Sequence, residues 1–203
     1  MQQRILKLFL VIVLLLYGCA PAIKNLDSEG TEIICFGDSI TYGTGVDRGQ
    51  DYPSYLSEMI GEEVINAGRG GDTTEDALNR LSDVLDRDPY IVIVEFGAND
   101  YLRDLPKDKA IENLREVITS IQDEGSMTAL CDVSGGSSIL GAYNIYHKDM
   151  KKLARQTGSI FIPHVMEGVI RNTSLKADRF HPNAKGNEII AKKVYNAIKP
   201  YLK

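Results

Sequence analysis

The chain has 203 residues, 43% hydrophobic and 25% charged, with no Trp and a net charge of −5. That length and composition belong to one globular domain with a sizeable core, and exclude a disordered, collagen-like or repeat architecture. The acidic balance argues against nucleic acid or an anionic surface as an electrostatic partner.

The first eighteen residues stand apart. Arg4 and Lys7 precede an uninterrupted apolar run from Leu8 to Leu16. A membrane span needs about 20 apolar residues, so this run fits the core of a signal peptide. It ends in Leu16-Tyr17-Gly18-Cys19, which resembles a bacterial lipobox, with Tyr17 bulkier than the usual residue there. The expected organisation is a lipoprotein signal peptide over 1–18, a tether over 19–30 beginning at a lipidated Cys19, and one globular domain over 31–203. Cleavage before Cys19 removes two of the 23 basic residues and no acidic one, moving the net charge from −5 to −7. The expected location is outside the cytoplasm, on a membrane. Cys35 and Cys131 sit inside apolar runs, where a thiol is expected as a small buried hydrophobe, although an exported protein could also pair them.

Strand-like and helix-period segments then alternate. Ile33-Ile34-Cys35-Phe36 is the first strand, followed by a helix around Tyr55 to Ile60 and a short strand from Glu63 to Asn66. Thr74 to Asp86 reads as one helix with Ala77, Leu78, Leu81, Val84 and Leu85 on one face. Tyr90 to Phe96 is a nearly continuous apolar run, expected of a central parallel strand covered on both sides. A helix from Asp108 to Glu124 carries Ile111, Leu114, Val117, Ile118 and Ile121 in register and stops at Gly125. Met127 to Val133, Tyr143 to Thr157 and Ile160 to Ile162 read as strand, helix and strand. Ala184 to Lys199 forms the last helix, ended by Pro200. Five strands with intervening helices imply right-handed crossovers and a three-layer α/β/α sandwich on a five-stranded parallel sheet.

Four segments carry chemistry, and all lie on loops where such a sheet builds its sites. Gly37-Asp38-Ser39 follows the first strand and offers a hydroxyl on a tight turn. Asn66-Ala67-Gly68-Arg69-Gly70-Gly71-Asp72-Thr73 follows the second; its glycines allow close backbone approach, but it lacks the Gly-Lys-Ser/Thr of a phosphate loop. Gly97-Ala98-Asn99-Asp100 follows the central strand, where an Asn amide can donate to a developing oxyanion. Asp178-Arg179-Phe180-His181 precedes the last helix with the spacing of an acid–imidazole pair. His147 lies in a polar helix and His164 has no such partner. No second His or Cys sits at zinc-ligand spacing near His181.

Together and in order, these four segments resemble the SGNH (GDSL-type) hydrolase superfamily over roughly residues 32–199. Val94 to Arg103 and Phe180-His181-Pro182-Asn183 look most like its bacterial thioesterase/arylesterase/lysophospholipase branch, with Ala98 where that branch often has Gly. The resemblance implies Ser39 as nucleophile, His181 as base and Asp178 as its orienting acid. It places the oxyanion hole at the N–H groups of Ser39 and Gly71, with Gly70 as the alternative, and the Asn99 side chain. Asp38 would support the turn and not the triad. It implies no metal and no cofactor. The expected activity is hydrolysis of esters or thioesters of small to medium acyl chains. Deacetylation of surface carbohydrate is the rival within this chemistry, and a non-catalytic binding lipoprotein the rival outside it. Tyr101, Leu102 and Leu105, just beyond Asn99, are expected to line the acyl pocket.

Overall fold

The computed structural model describes residues 22–133 and 145–203. Five parallel strands form one sheet in the order β2-β1-β3-β4-β5. They are β1 Glu32–Gly37, β2 Val64–Gly68, β3 Pro89–Glu95, β4 Met127–Cys131 and β5 Ile160–Ile162. The helices are α1 Ser39–Tyr42, α2 Tyr52–Ile60, α3 Thr74–Asn79, α4 Ser82–Leu85, α5 Ala98–Leu102, α6 Lys107–Asp123, α7 Ile145–Thr157 and α8 Ala184–Ile198. This is the expected α/β/α sandwich. Strand alternation explains its two cores, because successive side chains point to opposite faces. Ile33, Cys35, Ile91 and Ile93 pack with Tyr52 and Leu56 of α2 and with Ile190 and Val194 of α8. Ile34, Phe36, Val92 and Val94 pack with α3, α4, α6 and α7 through Ala77, Val84, Leu114, Ile118 and Leu153.

Three local readings need correction. The single helix from Thr74 to Asp86 is two short ones, α3 and α4, interrupted at Arg80. The guanidinium of Arg80 turns inward, donating to Asp72 Oδ2 at 2.6 Å, Ala67 O at 2.9 Å and Gly37 O at 3.0 Å. It also lies over the Phe36 ring, 4.5 Å from its centroid. The second change is that the sequence passed over two short helices, α1 and α5; each begins at a proposed site residue or its neighbour and is too brief to show a period. The third is that the segment expected to tether the domain is, from residue 22 onward, laid against it. Lys24 N donates to Gly158 O at 2.9 Å, and Asn25 Nδ2 donates to Gln122 O and Ser126 O at 2.7 and 2.9 Å. The beginning of the expected helix from Tyr143 lies outside the described residues.

Cys35 and Cys131 are both free and buried. They stand on β1 and β4 with β3 between them, so two strand spacings, about 9.5 Å, separate them, beyond the reach of a disulfide. Burial pushes both thiols well above their ordinary range.

Candidate active site

β1 lies between β2 and β3, so the loops leaving these strands part at its carboxyl end. Ser39 sits at that point as the first residue of α1. Asp38 caps the helix through Oδ1, which accepts from Ile40 N at 3.0 Å. Gly37 is required by close approach: a Cβ there would lie 2.0 Å from Thr41 Oγ1 and 2.8 Å from Glu95 O.

His181 reaches Ser39 from the far end of the chain. Its Nε2 is 3.1 Å from Ser39 Oγ, and its Nδ1 is 2.7 Å from Asp178 Oδ2. The other carboxylate oxygen, Oδ1, accepts from Phe180 N at 2.8 Å and His181 N at 2.9 Å. Three positions apart in sequence, one carboxylate holds both the backbone and the ring of the same histidine. These hydrogen bonds, led by that from the His181 ring, lower the Asp178 carboxyl to about 2. An ionised Asp178 holds Nδ1 as the protonated nitrogen, leaving Nε2 free to accept from Ser39.

Asn99 enters from the loop after β3. Its Nδ2 donates to Asp72 O at 2.9 Å and to Asp38 Oδ2 at 3.1 Å. Gly70 and Gly71 line the same cavity as Ser39 and Asn99. Gly71 has φ +84°, a left-handed conformation that strains residues with a Cβ. Arg103 donates to Gly71 O at 2.6 Å and Arg80 holds Asp72, so the loop is fixed from both sides. Asp100, buried, accepts from Thr74 N at 3.0 Å and Thr74 Oγ1 at 2.6 Å, locking α5 to the start of α3. Arg80, Arg103 and Asp100 were not singled out by sequence reasoning. Their roles depend on partners 8 to 43 residues away.

Beneath the nucleophile loop two buried carboxyls meet. Burial and the neighbouring Asp38 charge push Glu95 well above its ordinary value, and burial raises Asp38 to about 6. Thr41 Oγ1 donates to Glu95 Oε2 at 2.8 Å, while Oε1 meets no donor among the described residues. The arrangement closes when Glu95 is protonated and donates to Asp38. The folded state then binds the proton more tightly than the unfolded chain. Stability therefore falls as pH rises from the ordinary Glu value of 4.5 toward the raised one. Glu95→Gln has no proton to lose and can still donate. Its melting temperature relative to wild type should climb by several degrees between about pH 5 and pH 8. A difference that does not vary with pH would show that Glu95 is ionised.

The cavity in front of Ser39 has a volume of about 380 Å³, within the range of small-molecule sites. Its walls are mainly apolar, from Ile40, Ala98, Leu102, Val133, Met166, Ile170 and Phe180. Of the three residues expected to form the acyl pocket, Leu102 alone lines it. Tyr101 packs edge-on against Tyr146, 6.4 Å between centroids. Leu105 lies past the end of α5, 40% exposed. Successive side chains on α5 are turned by about 100°, so Leu102 faces the cavity while Tyr101 is carried round to Tyr146.

A second histidine group corrects the reading of His147 and His164 as unconnected. Both Nδ1 atoms meet Oδ2 of buried Asp132, at 2.6 and 3.0 Å. Their rings stack 4.2 Å apart at 16°. Nearly parallel rings direct their lone pairs within separate planes, so as oriented they suit a shared carboxylate and not one metal ion.

This geometry is that of a serine hydrolase on a doubly wound α/β sheet. The chain belongs to the GDSL-like lipase/acylhydrolase family, whose model matches residues 35–189. It is similar to an arylesterase of Vibrio mimicus, 28% identical over 200 residues covering 95% of this chain and 98% of that protein. It also resembles the crystal structure of TesA, with TM-score 0.77 and 25% identity over 85% of this chain and all of that one. An uncharacterized lipoprotein of Bacillus subtilis, YqeF, is 37% identical over 105 residues, 47% of this chain and 41% of that protein. The protein is an esterase of this family.

Proposed function

We propose that the ester is cleaved through an acyl-enzyme on Ser39. Ser39 Oγ attacks the acyl carbon while His181 Nε2 takes its proton, and Asp178 stabilises the imidazolium that forms. The negative charge on the carbonyl oxygen is met by the N–H groups of Ser39 and Gly71 and by Asn99 Nδ2. Collapse expels the alkoxide or thiolate, which receives the proton from His181. Water then repeats the sequence on the acyl-enzyme, releasing the acid and restoring Ser39. The observation that carries this reading is the unbroken Ser39–His181–Asp178 hydrogen-bond chain at the mouth of an apolar cavity.

The apolar walls favour acyl chains of small to medium length over the acetyl groups of carbohydrate. Each methylene buried against Leu102 adds at most about 0.8 kcal/mol, or roughly fourfold. Across p-nitrophenyl esters, lysophospholipid and acetylated sugars, Leu102→Ala should lower kcat/KM for C6–C8 acyl groups more than for acetate. Leu102 is 48% exposed, so thermal stability should hardly change. Equal losses at every chain length would remove Leu102 from the specificity pocket.

We further propose that Cys19 is lipidated and anchors the enzyme outside the cytoplasm. The support is the basic flank, the length of the apolar run and the position of Cys19; the partial likeness to a lipoprotein agrees. Several acyl chains at about 0.8 kcal/mol per buried CH₂ give stable anchoring. Cys19→Ser should leave an uncleaved or soluble chain. Membrane-extracted wild type whose intact mass carries no lipid would refute the anchor.

A further inference from the structure

The exposed residues Lys148, Lys151, Lys152 and Arg155 recur along α7 at positions i, i+3, i+4 and i+7. That spacing puts four cations on one stripe. The opposite side of the helix is buried through Tyr146, Met150, Leu153 and Ala154. Asp149 is the one acid within α7, and Lys107 Nζ neutralises it at 2.8 Å. Arg115, on α6, reaches across to Gln156 at 2.6 Å and adds a cation at the margin. His147, the four cations and Gln156 line a shallow cleft on this surface. An acidic chain thus carries a concentrated basic face, and net charge, which averages over the whole surface, conceals it.

The start of the described chain lies at the end of this same stripe. Ala22 O would be 2.8 Å from a Cβ on Gly158, and Lys24 N donates to Gly158 O. Gly158 follows α7 directly. Ala22 is only three positions from Cys19, a reach of about 10 Å at full extension. A lipid on Cys19 therefore enters the bilayer close to Arg155. A weak contact at that position acts within one molecule, at high effective concentration. We propose that the basic face of α7 docks on anionic phospholipid headgroups beside the lipid anchor. This inference rests on the anchoring proposed above for its geometry, while the charge stripe stands by itself. With α7 along the surface, its thirteen residues span about 20 Å between the anchor and the end of the sheet that bears the catalytic loops. The cavity mouth is then held at the height of the headgroups, where membrane-derived esters arrive.

The test uses the mature lipidated chain in vesicles of phosphatidylcholine alone or with phosphatidylglycerol, read by acetylation of lysines and mass spectrometry. With the anionic lipid, Lys148, Lys151 and Lys152 should react several-fold more slowly, and Lys185 at the start of α8 should not change. About 0.5 M salt should remove the protection. Lys148→Glu with Lys151→Glu, both exposed, should remove it with the protein still anchored. Equal reactivity in the two vesicles, or protection that survives the charge reversal, would overturn the inference. So would protection by soluble polyphosphate with none from vesicles, which would make the surface a polyanion site. The anchor is judged separately, by intact mass. A Cys19→Ser chain should still sediment weakly with phosphatidylglycerol vesicles, losing about fivefold in affinity per lysine neutralised. If it sediments so while wild type carries no lipid, the surface stands and the anchor falls. Lipidated wild type without lysine protection would leave the anchor standing and the surface refuted.

Discussion

Ser39→Ala should lose reaction with a fluorophosphonate probe and nearly all ester hydrolysis. Removing the nucleophile of a comparable triad costs on the order of 10⁶ in kcat, the residual rate coming from binding and oxyanion stabilisation. His181→Ala should cost about as much, and the double variant little more, because the two act as one unit. Asp178→Ala should be milder, roughly 10⁴. The Asp178 side chain is 52% exposed, so water can replace part of its support to the ring. The pH profile separates these roles. Asp178 stays ionised until pH falls through about 2, so its hold on His181 persists across the working range. Loss of rate on mild acidification therefore does not come from loss of the Asp178 charge. Probe labelling mapped to another serine would overturn the assignment.

Asn99→Ala should lower kcat by roughly 10²–10³, about 3–4 kcal/mol, with little change in KM. In the resting enzyme Nδ2 is engaged by both Asp72 O and Asp38 Oδ2. Those contacts aim the amide at the cavity in advance, and the Asp38 contact, longer at 3.1 Å, is the one it can share when the oxyanion forms. Ground-state binding makes little use of this donor, so the loss falls on the transition state. Asn99 is only partly buried, so the fold should survive. An unchanged kcat would reduce Asn99 to a brace between the loops after β1 and β2. A rise in KM matching the fall in kcat/KM would make it a substrate-binding group instead.

Much of this was legible in the sequence because the relevant physics is local. The apolar runs at Ile33–Phe36 and Tyr90–Phe96 set β1 and β3, and the period of Ile111 to Ile121 set α6. The helix from Thr74 misled, since its apolar spacing continues through Arg80 while the guanidinium, drawn to carbonyls on β1 and β2, breaks the backbone there. Of the three residues expected at the acyl pocket, Leu102 lines the cavity while Tyr101 and Leu105 do not, because proximity in sequence says nothing about direction around a short helix.

The sandwich, the four chemical segments and their order follow from the residues read in line, since strand period, turn residues and motif spacing all act over a few positions. Which groups meet is settled at the tertiary level. His181 finds Ser39 across 142 positions, Asp38 and Glu95 share a buried site, and Asp132 gathers His147 and His164. The segment around Ala22 and Lys24 comes to rest at the end of the basic face of α7. Each of these depends on how the crossovers wind over a twisted sheet, and no local spacing records that winding.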